Sequence, residues 1–473
     1  MKNYLTPIIA LLITSCSQTM DSPLLDYQLS WEDERIDFCL DYIHPQTDTV
    51  TLYYGSAFYG GQLDIFTCVK NLKAEGATLI PDSANMKVKL TDFTSPVTHL
   101  TYSIKQRLPE EVQKSTQESF RPNITHDFFI SHGINLFFRP EDEEQSMRVS
   151  WSKAPDFPVF CLYNPGHGTE SYTGKVKDFL YTALLGDRKL YVDTVNVNGV
   201  NNYVVTAPRV NATYNRAEMR QFFTKAYSAL VRFWEADSID TYSLIVYPFE
   251  KISHRVSGTG LNGGFLGRYN ADADTILDRE RANTFVHEIG HNWISAGEND
   301  QWWGEGFNEM QTMYMIVASG ITSVKGCIDY INEGLDKLYH SKIRNLPNDS
   351  IASNFWNLGD YSWIPYWRGE VYAFRLMGQI EKATGNKHAF KDFMMAMKPH
   401  LGNVNKETFL DVAQQFLDRK LLEEEFDKYI MKAETMTFQG DPMPSGCEVN
   451  FKEDGTPYIV ITDEEEFKSH FIL

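Results

Sequence analysis

The ten residues Thr284-Phe285-Val286-His287-Glu288-Ile289-Gly290-His291-Asn292-Trp293 contain the pattern His-Glu-x-x-His. On an α-helix, residues four apart lie on one face, about one turn apart. His287 and His291 can therefore direct two imidazole nitrogens at a single Zn²⁺ ion, and Glu288 lies at the edge of that face, where it can take a proton from an attacking water. The alternative is a pair of core or solvated histidines on an amphipathic helix. The stretch favours a zinc helix with its general base.

The acidic residues that follow His291 offer a third ligand. Glu298 and Asp300 belong to a predicted irregular loop, which is poorly suited to holding a ligand rigidly. Glu305 lies near the start of the next predicted helix, after two tryptophans that can fix it against the core. Glu309 follows one helical turn later and can accept a hydrogen bond from the second nitrogen of a ligand histidine; the alternative is a solvated helix acid.

A His-Glu-x-x-His helix followed by a helix with Glu-Gly-Phe is similar to the gluzincin metallopeptidases, in particular the aminopeptidase N-like and glycyl-aminopeptidase-like enzymes. The resemblance implies one Zn²⁺ per chain, with Glu305 as its third ligand beside His287 and His291. Thirteen residues separate His291 from Glu305, a shorter spacer than in the aminopeptidase N-like enzymes. The implied fold is a thermolysin-like, mainly helical domain.

A second element supports the resemblance. These families carry a tyrosine within Tyr-x-Lys-Gly that stabilises the tetrahedral intermediate. Here Tyr366-Trp367-Arg368-Gly369 follows Glu305 by 61 residues, with arginine in place of lysine. The resemblance thus implies a catalytic role for Tyr366, through a phenol directed at a developing oxyanion. Without the resemblance, Tyr366 is one of 25 tyrosines and could belong to the core or the surface.

A third element departs from the family pattern. The families place a glutamate that holds the free amino group of the substrate in Gly-x-Met-Glu-Asn or Gly-Gly-Leu-Glu-His. Gly263-Gly264-Phe265-Leu266-Gly267 occupies the equivalent place, with Leu266 where the glutamate is expected. The glycines permit close approach of a peptide backbone, so Gly263, Gly264 and Phe265 are predicted to bind substrate. Strict aminopeptidase activity is less favoured, unless Glu298 or Asp300 substitutes for the missing carboxylate.

The amino-terminal residues resemble a bacterial lipoprotein signal. Lys2 precedes a short apolar run, Leu5 to Ile13, which ends in Ile13-Thr14-Ser15-Cys16. The resemblance implies cleavage before Cys16, lipidation of that cysteine, and a location at the cell envelope, with the outer membrane favoured by Ser17. The alternative is an ordinary secretory signal with an incidental cysteine. The chain is thus expected to be anchored to a membrane by lipid.

Composition and patterning complete the prediction. A net charge of −19 over 473 residues disfavours nucleic acid as a partner, because phosphate binding depends on clusters of Lys and Arg. Five further cysteines are expected to be core thiols, with a Cys39–Cys68 disulfide as the alternative. We predict an α+β multidomain chain, with an antiparallel β-sandwich before the zinc domain. The predicted segments are a signal (1–16), a tether (17–26), a β domain (27–207), a gluzincin catalytic domain (208–435) and a tail with short strands (436–473).

The predicted function is that of a zinc metallopeptidase acting on peptides or proteins. Two alternatives are an envelope zinc hydrolase of glycopeptide or mucin-like substrates and a non-catalytic surface lipoprotein that binds a polymer. The complete set of ligands together with Glu288 speaks against the non-catalytic alternative.

Overall fold

A computed structural model describes residues 24–45, 47–56, 64–106, 120–207, 215–249, 256–270, 279–295, 300–357, 359–438, 440 and 442–473. Cys16, the predicted signal and most of the tether lie outside the described residues, as does Glu298. The first half of the described chain is built from β-sheets and the second half mainly from helices. This order confirms the predicted α+β fold class.

The strands of the described chain are numbered in order. They are β1 (Leu25–Glu32), β2 (Arg35–Ile43), β3 (Thr49–Tyr53), β4 (Val69–Glu75), β5 (Thr78–Asp82), β6 (Lys87–Thr91), β7 (Val97–Lys105), β8 (Asn123–Thr125), β9 (Phe128–His132), β10 (Ser146–Lys153), β11 (Val159–Cys161), β12 (Tyr172–Lys175), β13 (Ala183–Asp187), β14 (Tyr191–Val197), β15 (Val200–Thr206), β16 (Ser243–Phe249), β17 (Val256–Leu261), β18 (Gly264–Asn270), β19 (Cys447–Phe451) and β20 (Pro457–Ile461).

The helices are numbered in the same way. They are α1 (Val176–Leu180), α2 (Arg216–Phe233), α3 (Arg279–Gly290), α4 (Asn308–Ala318), α5 (Val324–His340), α6 (Asn348–Ala352), α7 (Asp360–Thr384), α8 (Ala389–Met397), α9 (Lys406–Ala413), α10 (Arg419–Phe426) and α11 (Glu464–Lys468). Two π-helical turns, Trp302–Phe307 and Asp427–Met431, precede α4 and follow α10.

The amino-terminal half contains three sheets that share one hydrophobic core. Their strand orders are β12-β10-β1-β2-β7-β4, β3-β6-β5 and β11-β13-β9-β8. Alternation explains the burial, since Phe38 and Leu40 of β2 face the core while Asp37 and Asp41 on either side do not. Most pairs are antiparallel as predicted, but β1 and β10 run parallel. The prediction of a purely antiparallel β domain is therefore corrected, because β1 pairs parallel with β10 and antiparallel with β2.

The half of the chain that contains His287 and His291 includes strands that precede residue 208. A five-stranded sheet has the order β14-β15-β16-β18-β17, with β15, β16 and β18 parallel and β17 antiparallel at the edge. Strands β14 and β15 lie within residues 27–207, which were assigned to the β domain, yet they pair with the strands beside the zinc helix. The five-stranded sheet therefore begins at β14, within the segment assigned to the β domain. The sequence pattern could not show this, because strand alternation is the same in either sheet.

The carboxy-terminal tail belongs to the helical body. Strands β19 and β20 form a hairpin, and the Asn332 side chain on α5 both donates to and accepts from the backbone of Ile459, at 2.8 and 2.7 Å. The Tyr314 hydroxyl on α4 donates to the carbonyl of His470 at 2.8 Å. Phe467 is fully buried in the same core as α3 and α4. The tail thus packs directly behind the helix that follows the metal site.

Two further observations concern the predicted envelope location and the cysteines. No helix among the described residues has the length and apolar character needed to cross a membrane. The five described cysteines are free thiols, as the core-thiol interpretation predicted, and Cys68, Cys161 and Cys327 are buried.

Candidate metal centre and active site

Helix α3 positions the two histidines by burying the side opposite to them. Phe285 and Ile289 are fully buried in the core of the catalytic half. His291 lies just beyond the last α-helical residue, and its N–H donates to the carbonyl of His287 at 3.3 Å, which continues the helical path. The imidazole rings of His287 and His291 lie 4.8 Å apart. The helix therefore brings together both predicted nitrogen ligands.

The outer nitrogen of each ring is held by an oxygen of the protein. His287 Nδ1 lies 2.6 Å from Glu309 Oε2, and His291 Nδ1 donates to the carbonyl of Ile294 at 2.9 Å. The Nε2 atoms face a common point, since they lie 3.1 and 3.5 Å from the same Oε2 of Glu305. The hydrogen bond of His291 Nδ1 sets the tautomer that leaves its Nε2 lone pair available to a metal, and the carboxylate beside His287 Nδ1 favours the same tautomer there.

This donor set fits zinc. One ligand atom each from His287, His291 and Glu305 lies within 4.8 Å of the other two. Two imidazole nitrogens and one carboxylate oxygen form a frequent donor set of catalytic Zn²⁺, which leaves a fourth position open. Burial acts to raise the pKa of Glu305, but the two histidines outweigh it and hold that pKa well below its usual range. Glu305 is therefore an anionic carboxylate at neutral pH.

Glu305 is presented by the π-helical turn Trp302–Phe307. The carbonyl of Asp300 accepts the N–H groups of Trp303 and Gly304, at 2.9 and 3.1 Å, and the Asp300 carboxylate accepts the indole N–H of Trp302 at 3.2 Å. Trp302 and Trp303 are buried, as the sequence predicted for the residues that fix the ligand. Asp300 thus secures the start of the turn. Single π-helical turns of this kind are frequent at functional sites.

Two glycines let the ligand turn and α7 cross in contact. A Cβ atom on Gly306 would collide with the backbone of Gly369, and one on Gly369 would collide with the carbonyl of Trp302. This crossing places the Tyr366 ring on the His287 ring, with centroids 5.3 Å apart and planes at 22°. Burial, followed by the charges of Glu305 and Glu288, raises the pKa of Tyr366 well above its ordinary value. Tyr366 is therefore a neutral phenol that can donate a hydrogen bond at the metal site.

Arg368, which replaces the family lysine, faces away from the metal site. Its guanidinium donates to the carbonyls of Arg344 and Leu346, at 2.9 and 3.0 Å, and its side chain is buried. Burial lowers the pKa of Arg368 to about 10. Its observed contacts hold the loop before α6.

Glu288 lies beside the edge strand of the catalytic sheet. A Cβ atom on Gly260 of β17 would be 3.8 Å from Glu288 Oε2, so the glycine keeps the space over the carboxylate open. Burial raises the pKa of Glu288, partly opposed by the two histidines. A carboxylate with a raised pKa is suited to taking a proton and returning it.

The structure places Gly263, Gly264 and Phe265 elsewhere than expected. Gly263 forms the turn between β17 and β18, while Gly264 and Phe265 lie in β18, whose two edges pair with β16 and β17. The Phe265 side chain is fully buried. Leu266 packs in a separate cluster with Ile245 and so does not face Glu288. The predicted substrate contact is thereby corrected: the unpaired edge near Glu288 belongs to β17.

Other residues that support the site carry little sequence signal. A chain of amides runs from the Trp234 indole to Gln311 (2.8 Å), from Gln311 to Asn308 (3.0 Å), and from Asn308 to the carbonyl of His287 (2.9 Å). Gly290 permits this chain, since a Cβ atom there would collide with the amides of Asn308 and Gln311. The glycine inside the His-Glu-x-x-His motif was the one available hint, because a helix-interior glycine often marks a close contact.

A second group of buried residues lies behind Glu309. Burial, followed by the charge of Glu309, raises the pKa of Tyr330 well above its ordinary value. Glu370 is 1% exposed, and neither of its oxygens has a hydrogen-bond partner among the described residues. Burial first, and then the charge of Glu309, raises the pKa of Glu370 well above its ordinary value. The neutral, protonated form of Glu370 is therefore favoured in the folded chain.

Comparisons with known proteins agree with this geometry. No family model and no curated protein matches the sequence. The structure is similar to that of an aminopeptidase N family protein from Idiomarina loihiensis, with a TM-score of 0.73 and 12% sequence identity, covering 90% of this chain and 79% of that one. It is also similar to the M1 zinc metallopeptidase from Deinococcus radiodurans, with a TM-score of 0.50 and 14% identity, covering 89% of this chain and 95% of that one.

A mutant of the Deinococcus enzyme, solved bound to a Tyr-Ser-Ala substrate, has a TM-score of 0.53 to this structure at 14% identity, over 89% of this chain and 95% of that one. These similarities extend over both halves of the chain, from the sheets before β14 to the helices after the metal site. The chain therefore has the fold of the aminopeptidase N-like zinc metallopeptidases, as the sequence resemblance predicted.

Proposed function

We propose that this chain is a zinc-dependent metallopeptidase that hydrolyses peptide bonds at the cell envelope. The observation that carries the proposal is the convergence of His287, His291 and Glu305 on one point, within 4.8 Å of one another. Glu288 and Tyr366 flank that point with a proton acceptor and a hydrogen-bond donor. A Zn²⁺ ion held there would act as a Lewis acid for water and for the scissile carbonyl.

The side chains of the protein supply the remaining steps. The Glu288 carboxylate takes a proton from the attacking water and passes it to the leaving amine. The Tyr366 phenol donates a hydrogen bond to the oxygen that gains negative charge. A donor of this kind contributes about 3 to 4 kcal/mol to transition-state stabilisation.

Peptides with blocked amino termini are proposed as substrates alongside free ones. The side chain of Leu266 is buried away from Glu288, and Gly260 brings no side chain to the edge strand beside Glu288. Such a strand can pair with an extended peptide through its backbone. We therefore propose that binding does not depend on a free amino group.

A set of peptides with a quenched fluorophore tests the activity. Free, blocked and glycosylated amino termini are compared after metal analysis of the purified chain. We expect one zinc per chain and cleavage of blocked peptides. Glu288→Gln should keep the zinc and lower kcat by a factor of about 10³ or more, because it removes the base but not a ligand. Glu424→Gln, on the exposed side of α10, is the matched control. Turnover by Glu288→Gln near that of wild type would refute the assignment.

We also propose that Cys16 carries a lipid that holds the chain at the envelope. The support is the lipoprotein-like run before Cys16. We expect cell fractionation to find the Cys16→Ala variant in the soluble fraction, whereas the wild-type protein stays with the membrane. A variant that stays with the membrane would contradict lipid anchoring through this residue.

A further inference from the structure

Trp363 is an exposed tryptophan beside the catalytic tyrosine. It lies on α7, one helical turn before Tyr366, and 42% of its surface is exposed. In contrast, at most 1% of the surface is exposed for each of Trp234, Trp302 and Trp303. A single exposed apolar residue needs no explanation in itself. The position of Trp363 is informative because its neighbours lead directly to the metal site.

A continuous set of rings connects the metal ligands with Trp363. The Trp363 and Tyr366 centroids are 5.1 Å apart, and Tyr366 in turn stacks on His287 at 5.3 Å. The other neighbour, Trp367, lies 6.3 Å from Trp363 with its plane at 11°. Trp367 packs against a buried cluster that includes Ile364. The Trp363 ring is therefore supported from behind while much of its surface remains accessible.

We propose that Trp363 forms a wall of a substrate subsite that selects an aromatic or large apolar side chain next to the scissile bond. The inference rests on the proposed peptidase function and names a residue that determines its specificity. A carbonyl that accepts a hydrogen bond from Tyr366 places the flanking side chain of the same peptide within reach of the adjacent ring. Because the Trp363 ring lies directly against Tyr366, the molecule that would occupy this subsite is the substrate.

The exposed face of the indole ring decides the kind of occupant. Such a ring prefers aromatic partners in offset or edge-to-face contact. An aromatic contact of this size corresponds to about a tenfold difference in affinity.

Binding to a variant that cannot turn over substrate provides the test. Blocked peptides with Phe or Ala on either side of the cleaved bond are titrated by calorimetry into zinc-loaded Glu288→Gln. We expect the Phe peptide to bind about tenfold more tightly on one side. Adding Trp363→Ala should reduce this preference to less than about twofold, while Trp363→Phe should retain most of it. Phe451→Ala removes an equally exposed ring on β19 and should leave the preference unchanged.

The results separate the subsite from the catalytic proposal. A preference for Phe that survives Trp363→Ala, equal binding of the Phe and Ala peptides, or tighter binding of a Lys or glycosylated peptide would each overturn the subsite. If wild type cleaves no peptide but Glu288→Gln shows the Trp363-dependent preference, the peptidase proposal fails and the subsite stands. Zinc content and circular dichroism of each variant confirm that its fold is intact.

Discussion

His287 lies between two carboxylates with different tasks. Its Nε2 atom faces Glu305, the proposed third ligand, at 3.1 Å, and its Nδ1 atom lies 2.6 Å from Glu309. A carboxylate on the outer nitrogen orients the ring and increases the electron density available to a bound metal. Glu309 was predicted equally well as a solvated acid, and the structure shows it buried against His287. We propose that Glu309 positions the ring of His287.

Removing Glu309 should therefore weaken zinc binding. We expect Glu309→Ala to raise the zinc dissociation constant by a factor of about 10 to 100, since His287 loses the partner that orients it. Competition with a chromophoric chelator measures the constant directly. Glu424→Ala, an exposed acid on α10, serves as the control. An unchanged constant for Glu309→Ala would assign it a purely structural role.

Glu370 should make stability depend on pH. Its pKa is raised by burial and by Glu309, so the folded chain keeps a proton that the unfolded chain releases above pH about 4.5. The free energy of unfolding then falls as pH rises above about 4.5, by up to about 1.4 kcal/mol per pH unit. Glu370→Gln cannot ionise and should be the more stable chain at pH 8, with the difference shrinking toward pH 5.

Denaturant unfolding of zinc-loaded wild type and Glu370→Gln at a series of pH values measures this effect. Parallel stability profiles for the two proteins would show that Glu370 is ionised in the folded state.

The sequence predicts site residues that are close together in the chain better than those that meet only in the folded structure. His287, Glu288 and His291 follow from local helical spacing, and Glu305 and Tyr366 follow from the family resemblance. Tyr330 and Trp363 could not be predicted in this way, because their roles depend on which helices meet in space. Gly264 was misplaced for the same reason, since strand order decides which edge is free.

At the scale of secondary-structure elements, the crossing of the ligand turn and α7 unites the two catalytic motifs. Gly306 follows Glu305, and Gly369 follows Tyr366 by three residues. Their backbones touch because neither carries a Cβ atom. Gly306 is thus needed for the close approach of α7, and Gly369 for the close approach of the ligand turn. Pro365, inside α7, does not end the helix, although a proline within a helical pattern usually indicates a boundary.

Gly369→Ala should force the two elements apart. The added methyl would meet the carbonyl of Trp302 and the backbone of Gly306, and overpacking of this kind costs about 1 to 3 kcal/mol. We expect lower thermal stability, weaker zinc binding, and at least about a tenfold loss of kcat/KM as Tyr366 moves from the metal site.

Gly402→Ala is the matched control for this substitution. A Cβ atom at Gly402 meets nothing within 4 Å, and the variant should retain both zinc affinity and activity. Wild-type activity in Gly369→Ala would show that the crossing tolerates displacement.

At the scale of the whole molecule, the metal site and the carboxy-terminal tail share one core. Helix α4 begins directly after the ligand turn and contacts the tail through Tyr314, which donates to the carbonyl of His470. The tail had been predicted as a separate segment because its strands carry no sign of their partner. Stability of the catalytic half and occupation of the metal site should accordingly be coupled.

Removal of zinc should lower the melting temperature of this half. A ligand present at a thousand times its dissociation constant stabilises the folded state by about 4 kcal/mol. We expect 1,10-phenanthroline to lower Tm in calorimetry and added Zn²⁺ to restore it. The double variant His287→Ala, His291→Ala should not respond to either reagent. A response in that variant would place the stabilising metal elsewhere.

The π-helical turn Trp302–Phe307 constrains the length of the chain as well as its composition. Such a turn contains one residue more than an α-helical turn. Loss of Gly306 or Phe307 would shorten the path between Glu305 and α4 and turn the Glu305 carboxylate away from His287 and His291. Homologous chains that keep this activity should therefore show substitutions here but neither insertions nor deletions.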